Sequence, residues 1–394
     1  MNRPDPIYLD HAAATPLSEV ARDAMRPHLE SSYANPSSLY EAARQERRAV
    51  EAARAKIAGI MGAKPTEIVF TSGGTEGNNA AIQGTLHHHP GSSWVTTAIE
   101  HDAVLALVEP MRSMDHAAAV IPVLPAGIVE PAAVMSAVTD TTVLISVMLA
   151  NNEIGTLQPV ADIARLVKAT RADRHRRNIQ LPLYVHTDAV QATNYIDLHV
   201  DRLGIDLLTI NGSKMYGPKG VGALYVRTGT NLSPLIYGGG QERGRRSGTE
   251  NVAGIAGLAA AYNEAVGLRN PEGHRLAALR DELARRLSAA IPGMIINGHP
   301  TRRLPNNLNL TIPGAEGEAL VLYLDNAGIM ASTGSACSTG DLDPSHVLLA
   351  IGRSADEANS SLRFTLGRAT TPEHIDYLVA TLPQIIERVR IISS

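Results

Sequence analysis

Lys214 sits in a run of small residues, Asn211-Gly212-Ser213-Lys214-Met215-Tyr216-Gly217, between two strand-like stretches at 207–210 and 222–226. Small neighbours let a flat ligand approach the backbone, and an amine in a dry pocket loses its proton more easily. Lys214 is therefore a candidate for a Schiff base with an aldehyde cofactor. Taken alone, the run reads as a glycine-rich turn with Lys214 and Lys219 in solvent. Other residues shift that balance. Asp188 closes the strand-like stretch 183–188. It is either a turn residue or a carboxylate facing the ring nitrogen of pyridoxal phosphate, where it would keep the ring an electron sink. Ser72-Gly73-Gly74-Thr75 lies where a strand enters a helix, so its N–H groups and hydroxyls could cup a phosphate. No G-x-G-x-x-G occurs, which leaves a nicotinamide cofactor without support.

Three further side chains are candidates. His101 follows the strand-like stretch 93–99; a lone histidine is commonly structural, but its position matches the proposed pocket. Arg363 lies in an alternating stretch, 361–367, as either a solvent-facing strand residue or a bidentate clamp for a substrate carboxylate. Cys337 is the chain's one cysteine and lies among Ser335, Ala336, Ser338, Thr339 and Gly340. Buried structural cysteines sit among apolar residues, so this polar setting favours an accessible thiol. A single cysteine excludes an intramolecular disulfide and a multi-cysteine zinc site, and no metal is expected. His87, His88 and His89, framed by Gly84 and Pro90, read as an exposed loop.

The elements that must position these residues alternate strand and helix from residue 7 to about 226. Helices are expected from Ser18, over 38–61, after Gly74, from Asp102 and over 160–169, the last leading into a basic loop from Arg171 to Arg177. Residues 142–149 form a nearly continuous apolar run, as in a strand buried on both faces. Such repetition implies an α/β fold with a mostly parallel sheet, and ligands in such folds sit at the carboxyl ends of strands. Ser72 to Thr75, Asn151-Asn152, Asp188 and Lys214 are all at such ends, so they should converge. After an alanine-rich helix that starts near Glu250 the pattern changes, and a second helix over 274–290 with later short strands reads as a smaller α+β domain. The expected division is a large domain of residues 13–267 and a small domain of residues 1–12 and 268–394 that carries Cys337.

Bulk properties set the class. The 394 residues are 44% hydrophobic and 19% charged, with a formal net charge of -4. That balance fits a globular protein and argues against a general nucleic-acid or membrane-surface binder. No apolar run suffices for a membrane span, and the first six residues lack the apolar core of a signal peptide. One thiol suits a reducing cytoplasm.

In order along the chain, Tyr8-Leu9-Asp10, Asn35-Pro36, Thr71 to Glu76, Glu100-His101, Asn151 to Gly155 and His186-Thr187-Asp188 resemble motifs of the cysteine desulfurases of the NifS/IscS type. Lys214 to Gly220, Gly238 to Gly244, Arg246 to Thr249, Ser335-Ala336-Cys337 and Arg363-Phe364 continue the resemblance over nearly the whole chain. These are pyridoxal-phosphate enzymes of the class V aminotransferase group, and the resemblance implies their transferase fold. It further implies that Lys214 anchors the cofactor, Asp188 faces the ring nitrogen, Gln191 the phenolic oxygen, and His101 stacks on the ring and assists proton transfer. Gly74, Thr75, Asn211 and Ser213 would surround the phosphate, and Thr249 would reach the phosphate of the other subunit of a homodimer. Asn35, Asn152 and Arg363 would grip L-cysteine, with Asn152 also near the cofactor. Lys214 would remove the α-proton and the Cys337 thiolate would take the sulfur as a persulfide, leaving alanine. The loop bearing Cys337 would then carry the sulfur to an acceptor, an iron–sulfur scaffold or a tRNA-thiolation protein.

The match has departures. Ser213 stands where the family has histidine, which bears on the phosphate cup, and Gln241 stands where many relatives have histidine. The chain ends at Ser394, without the tail that some relatives use to grip a scaffold. A selenocysteine lyase, a cysteine-sulfinate desulfinase, a plain aminotransferase and a low-activity sulfur-transfer platform are the competing expectations.

Overall fold

The computed structural model describes residues 6–333 and 343–393. Among the described residues, twelve strands form three sheets. They are β1 (Ile7–Tyr8), β2 (Ile68–Thr71), β3 (Ser93–Thr97), β4 (Ala118–Ile121), β5 (Thr142–Ser146) and β6 (Tyr184–Asp188). The others are β7 (Leu207–Asn211), β8 (Gly222–Val226), β9 (Ile295–Asn297), β10 (Asn307–Thr311), β11 (Ile329–Met330) and β12 (Ser361–Thr365). Seven of them make one sheet in the order β2-β8-β7-β6-β5-β3-β4. Every pair in it is parallel except the two that β8 makes with β2 and β7.

Side-chain alternation along these strands feeds two separate cores, because successive residues point to opposite faces. Ile68 and Phe70 of β2, Leu208 and Ile210 of β7, and Ala223 and Tyr225 of β8 pack on one face. Val69, Leu207, Leu224 and Val226 pack on the other, with Ala81, Ile82 and Leu86 from the helix Gly74–His88. The first face is covered by the helices Glu41–Met61 and Val160–Arg176 and by the first half of Val252–Ala290. Gly62 ends the helix Glu41–Met61 at φ 67, and a Cβ there would lie 2.3 Å from the His199 ring, so both conformation and space demand glycine.

A third core joins Leu308 and Leu310 of β10 to Leu362 and Phe364 of β12. It is sealed by Leu276, Leu283 and Leu287 of the long helix and by Ile375, Leu378 and Leu382 of the helix Pro372–Ser393. Ile7 and Leu9 belong to it, and β1 pairs in parallel with β11.

Three expectations change here. The two helices expected around residue 267 are one 39-residue helix, Val252–Ala290, which runs through Pro271. The basic stretch is the end of the helix Val160–Arg176, not a loop. Its charges are largely answered: Arg171 pairs with Asp206, Arg177 with Asp140, Arg176 with Asp173, and buried Arg174 donates to carbonyls including Pro182 and Thr142. The helix Gly74–His88 also carries through Gly84 to include His87 and His88. Among the described residues no helix is long and apolar enough to cross a membrane.

Candidate active site

A cavity of about 690 Å³ opens at the carboxyl ends of the parallel strands. Its wall gathers residues distant in the chain: Gly74 and Thr75 after β2, His101 after β3, Asn152 after β5, Asp188 and Gln191 at β6, Asn211 and Lys214 at β7, and Arg363 of β12. Nine of the residues expected from sequence therefore meet at one site. Ser213 does not line it; its carbonyl receives the N–H of Thr15 at 2.8 Å and its own N–H donates to Asn211 Oδ1 at 3.3 Å. Asn35 and Thr249 are exposed and lie off the cavity wall, Asn35 accepting the Ser37 N–H at 2.9 Å. Cys337 lies outside the described residues.

Lys214 ends the short 3-10 turn Gly212–Lys214 that follows β7. Its Nζ donates to the carbonyl of Ala13, and its own carbonyl receives Asn194 Nδ2 at 2.6 Å. Lys219, five residues on, is exposed. The solvent reading therefore holds for Lys219 and fails for Lys214.

Asp188 is buried and fixed from two sides. Asn78 Nδ2 donates to Oδ2 at 2.6 Å and the Val190 N–H donates to Oδ1 at 2.9 Å. Sequence reasoning missed Asn78, although the signal was present: it lies one helical turn after Gly74, on the side that carries Gly74 into the site. At the start of that helix the first i→i−4 bond runs from Gly77 to Gly73, so the N–H groups of Gly74, Thr75 and Glu76 precede the ladder. Glu76 turns back to accept the Ser72 N–H at 2.9 Å and pairs with Arg246. Burial opposes its ionisation, but Arg246 and Ser72 outweigh it and hold the carboxyl below its usual range. Ser72 is thereby committed to Glu76, and the N–H groups that precede the helical ladder are those from Gly74 onward.

His101 caps the helix Asp102–Leu105, with its Nδ1 accepting the Ala103 N–H at 3.0 Å. Gln191 donates to the Ala12 carbonyl at 3.0 Å. Asn151 is a structural residue: fully buried, it accepts the N–H groups of Glu153 and Ile154, both at 2.9 Å, and donates to Ile99. That turn aims Asn152, whose carbonyl receives Arg363 Nη1 at 3.2 Å. Gln241, the other departure, accepts the Gly248 N–H at 3.0 Å and so ties down the segment that leads to Thr249.

Arg363 is only 2% exposed, which overturns the solvent-facing alternative. Its Nη2 donates to Asp10 Oδ1 at 2.8 Å. Sequence shows Asp10 only as part of the Tyr8-Leu9-Asp10 motif, because its bond to Arg363 spans 353 residues.

Two buried titratable groups flank the strand ends. Glu100 is fully buried; Thr97 Oγ1 donates to it at 2.6 Å and the Met148 N–H reaches both carboxyl oxygens at 3.0 Å. Burial raises its pKa to about 8, more than these donors lower it. His186 lies beneath the sheet end between Ser146 Oγ, at 2.9 Å from Nδ1, and Thr209 Oγ1, at 3.2 Å from Nε2. Burial lowers it to about 3, so it remains neutral.

The residues present fit pyridoxal phosphate. A Cβ added at Gly74 would stand 3.0 Å from Val190 Cγ2 and 3.6 Å from Asn211 Cβ, so the wall there admits only a backbone edge. N–H groups at that edge suit a phosphate, the held Asp188 carboxylate suits a protonated ring nitrogen, and the Lys214 amine suits an aldehyde. Among the described residues no group of three or more His, Cys, Asp or Glu is arranged to hold a metal ion.

The family model for class-V aminotransferases matches residues 7–378. Cysteine desulfurase IscS of Dictyoglomus turgidum is 45% identical over 389 residues, which cover 98% of this chain and 96% of that protein. A cysteine desulfurase of Trichormus azollae is 42% identical over 389 residues, covering 98% and 94%. Among solved structures, a NifS-like protein matches with a TM-score of 0.89 at 33% identity, covering 97% of this chain and 100% of that one. SspA in complex with cysteine matches at 0.78 with 34% identity, covering 91% and 98%. The chain belongs to the aminotransferase class-V family and, within it, to the cysteine desulfurases.

Proposed function

We propose that this protein converts L-cysteine to L-alanine and takes the released sulfur on Cys337 as a persulfide. The observation that carries this reading is the meeting of Lys214, Asp188, His101 and Arg363 in one cavity at the strand ends. Lys214, Asp188, Gln191, His101, Asn211 and the N–H groups of Gly74 and Thr75 would hold pyridoxal phosphate. When bound, that cofactor supplies an electron sink for charge developing at the substrate's Cα.

Each side chain then has a task that follows from its setting. Asp188, kept in place by Asn78 and Val190, puts a fixed negative charge where a protonated ring nitrogen is needed. Arg363, steered by Asp10 and the Asn152 carbonyl, receives the substrate carboxylate. Lys214 Nζ, once free, accepts the α-proton. The Cys337 thiolate attacks the substrate sulfur: an S–S bond forms, the Cβ–S bond breaks, and its electron pair remains with the three-carbon fragment that becomes alanine. Ser213 contributes through its backbone to the cofactor turn. Thr249 and Asn35, exposed in the single chain, act in this reading within a homodimer. The stored sulfur goes to an acceptor protein of iron–sulfur assembly or tRNA thiolation, and the single thiol suits a cytoplasmic setting.

The test is incubation of the protein and a Cys337→Ser variant with L-cysteine, following alanine, sulfide and protein-bound persulfide. The variant is expected to lose the persulfide and the alanine together. Sulfide release at the unmutated rate would remove Cys337 from the mechanism.

The Asp10–Arg363 pair makes a second prediction. Asp10→Asn leaves the guanidinium less firmly aimed, and the KM for L-cysteine should rise about tenfold with a smaller change in kcat. A KM equal to that of the unmutated protein would show that Arg363 needs no such steering.

A further inference from the structure

His346 lines the same cavity, at the first position of the short helix His346–Ala350, and belongs to none of the motifs that point to this site. One edge of its ring is fixed: Nε2 lies 2.9 Å from the carbonyl oxygen of Glu100. A carbonyl oxygen can only accept, so Nε2 carries the hydrogen and Nδ1 of the neutral ring is left as an acceptor.

The backbone beneath the ring is also held. Ser345 donates its hydroxyl to the Glu153 carboxylate and accepts the Leu348 N–H at 3.2 Å. Val347 and Leu348 are buried with Ile99, Met148 and Ile154. His101 is held at its other ring nitrogen, since its Nδ1 accepts a backbone N–H and its Nε2 carries the hydrogen when neutral. The cavity wall thus holds two imidazoles of the same Nε2–H tautomer fixed by backbone groups at different nitrogens, His101 at Nδ1 and His346 at Nε2.

The charged and titratable neighbours of His346 are Glu153 and Asp343 on the adjoining segments, Glu100 beneath the ring, and His101 and Asp102 at the start of the next helix. Glu153 is already engaged by Ser345, and Glu100 turns its carboxyl to Met148. An amino acid held by its carboxylate at Arg363 and by its amine at the Lys214 end has only its side-chain arm left to place.

We propose that Nδ1 of His346 reads that arm, accepting the hydrogen of a thiol or selenol and disfavouring an acceptor-only group such as a sulfinate. The proposal rests on the desulfurase reading of this cavity and makes His346 a specificity-determining residue. A thiol is a weak donor, so the discrimination is expected to be modest beside that of a hydroxyl-reading site.

The test compares kcat/KM for L-cysteine and L-cysteine sulfinate in the pyridoxal-phosphate-loaded protein and two variants, with the cofactor absorption band recorded for each. His346→Gln can still donate to the Glu100 carbonyl but offers no acceptor at the Nδ1 position. His346→Asn keeps an amide oxygen near that position but is too short to reach Glu100. The cysteine-to-sulfinate ratio should fall about tenfold in His346→Gln and stay within about threefold of the unmutated value in His346→Asn, with an unchanged band in both. An unchanged ratio in His346→Gln, or an equal loss for both substrates, overturns the assignment while leaving the desulfurase reading intact. If the unmutated, loaded protein releases no alanine from cysteine, the desulfurase reading fails and this assignment fails with it.

Discussion

Lys214→Ala should yield a folded protein with no visible absorption band from bound pyridoxal phosphate and with cysteine turnover lowered at least about 10³-fold, since anchor and base are removed together. The side chain is partly exposed in a cavity, so truncating it leaves no hole in a core, and thermal stability should change little. Lys214→Arg is the sharper control. It preserves a positive charge at the mouth of the turn, but a guanidinium cannot give up its proton to act as base or nucleophile, so it should be as inactive as the alanine variant. Lys219→Ala, at an exposed position in the same segment, should behave like the unmutated protein. A band and turnover that survived in Lys214→Ala would move the anchor elsewhere.

Glu100→Gln should change the pH dependence of stability. The folded-state pKa of Glu100 is raised to about 8, against about 4.5 for a solvated carboxyl. The folded chain therefore keeps a proton that the unfolded chain releases. Stability from this group is fully present below about pH 4.5 and is lost as pH rises through 8, by on the order of 3–5 kcal/mol in all. Glutamine is neutral throughout and imitates the protonated acid, so urea midpoints of the variant should lack that decline and exceed those of the unmutated protein at pH 8.5. His186 acts in the opposite sense. Its folded pKa is lowered to about 3, so its contribution is complete above about pH 6.5 and is lost as pH falls toward 3. Identical urea–pH curves for Glu100→Gln and the unmutated protein would mean that Glu100 is ionised in the folded state.

The legible part of the site was the part set by strand ends. Asp188 and Lys214 close adjacent parallel strands, and the connection rule for such sheets puts them side by side without further information. Arg363 was harder. Its strand alternates in sequence as if half exposed, yet β12 is buried along its whole length by β10, the bridge to Ser332 and the carboxylate of Asp10. Those partners are supplied by tertiary structure alone. Asn78 and His346 were missed for a related reason, since their roles depend on what faces them across a cavity.

The errors at Gly84 and at residue 267 share one physical cause: a glycine or proline inside a helical stretch reads in sequence as a break. A Cβ at Gly84 would stand 2.8 Å from the Ser233 carbonyl, so that glycine permits close approach of another segment within a helix that continues. Gly267 and Pro271 would weaken an isolated helix. Here Leu258, Ala261 and Tyr262 are buried in one core and Leu276, Leu283 and Leu287 in another, and burial at both ends outweighs the weak middle.

That helix also determines where the chain could be cut for fragment complementation. The boundary expected from sequence lies at residue 267, but a cut there leaves each fragment with a half-helix whose apolar face has lost its continuation, an invitation to aggregation. Gly229 is the better severing point. It is exposed at φ 91 with no atom within 4 Å of an added Cβ, and it lies between β8 and the segment leading into the helix. A split made there would keep the rod whole in the second fragment and leave the first with all seven strands of the large sheet.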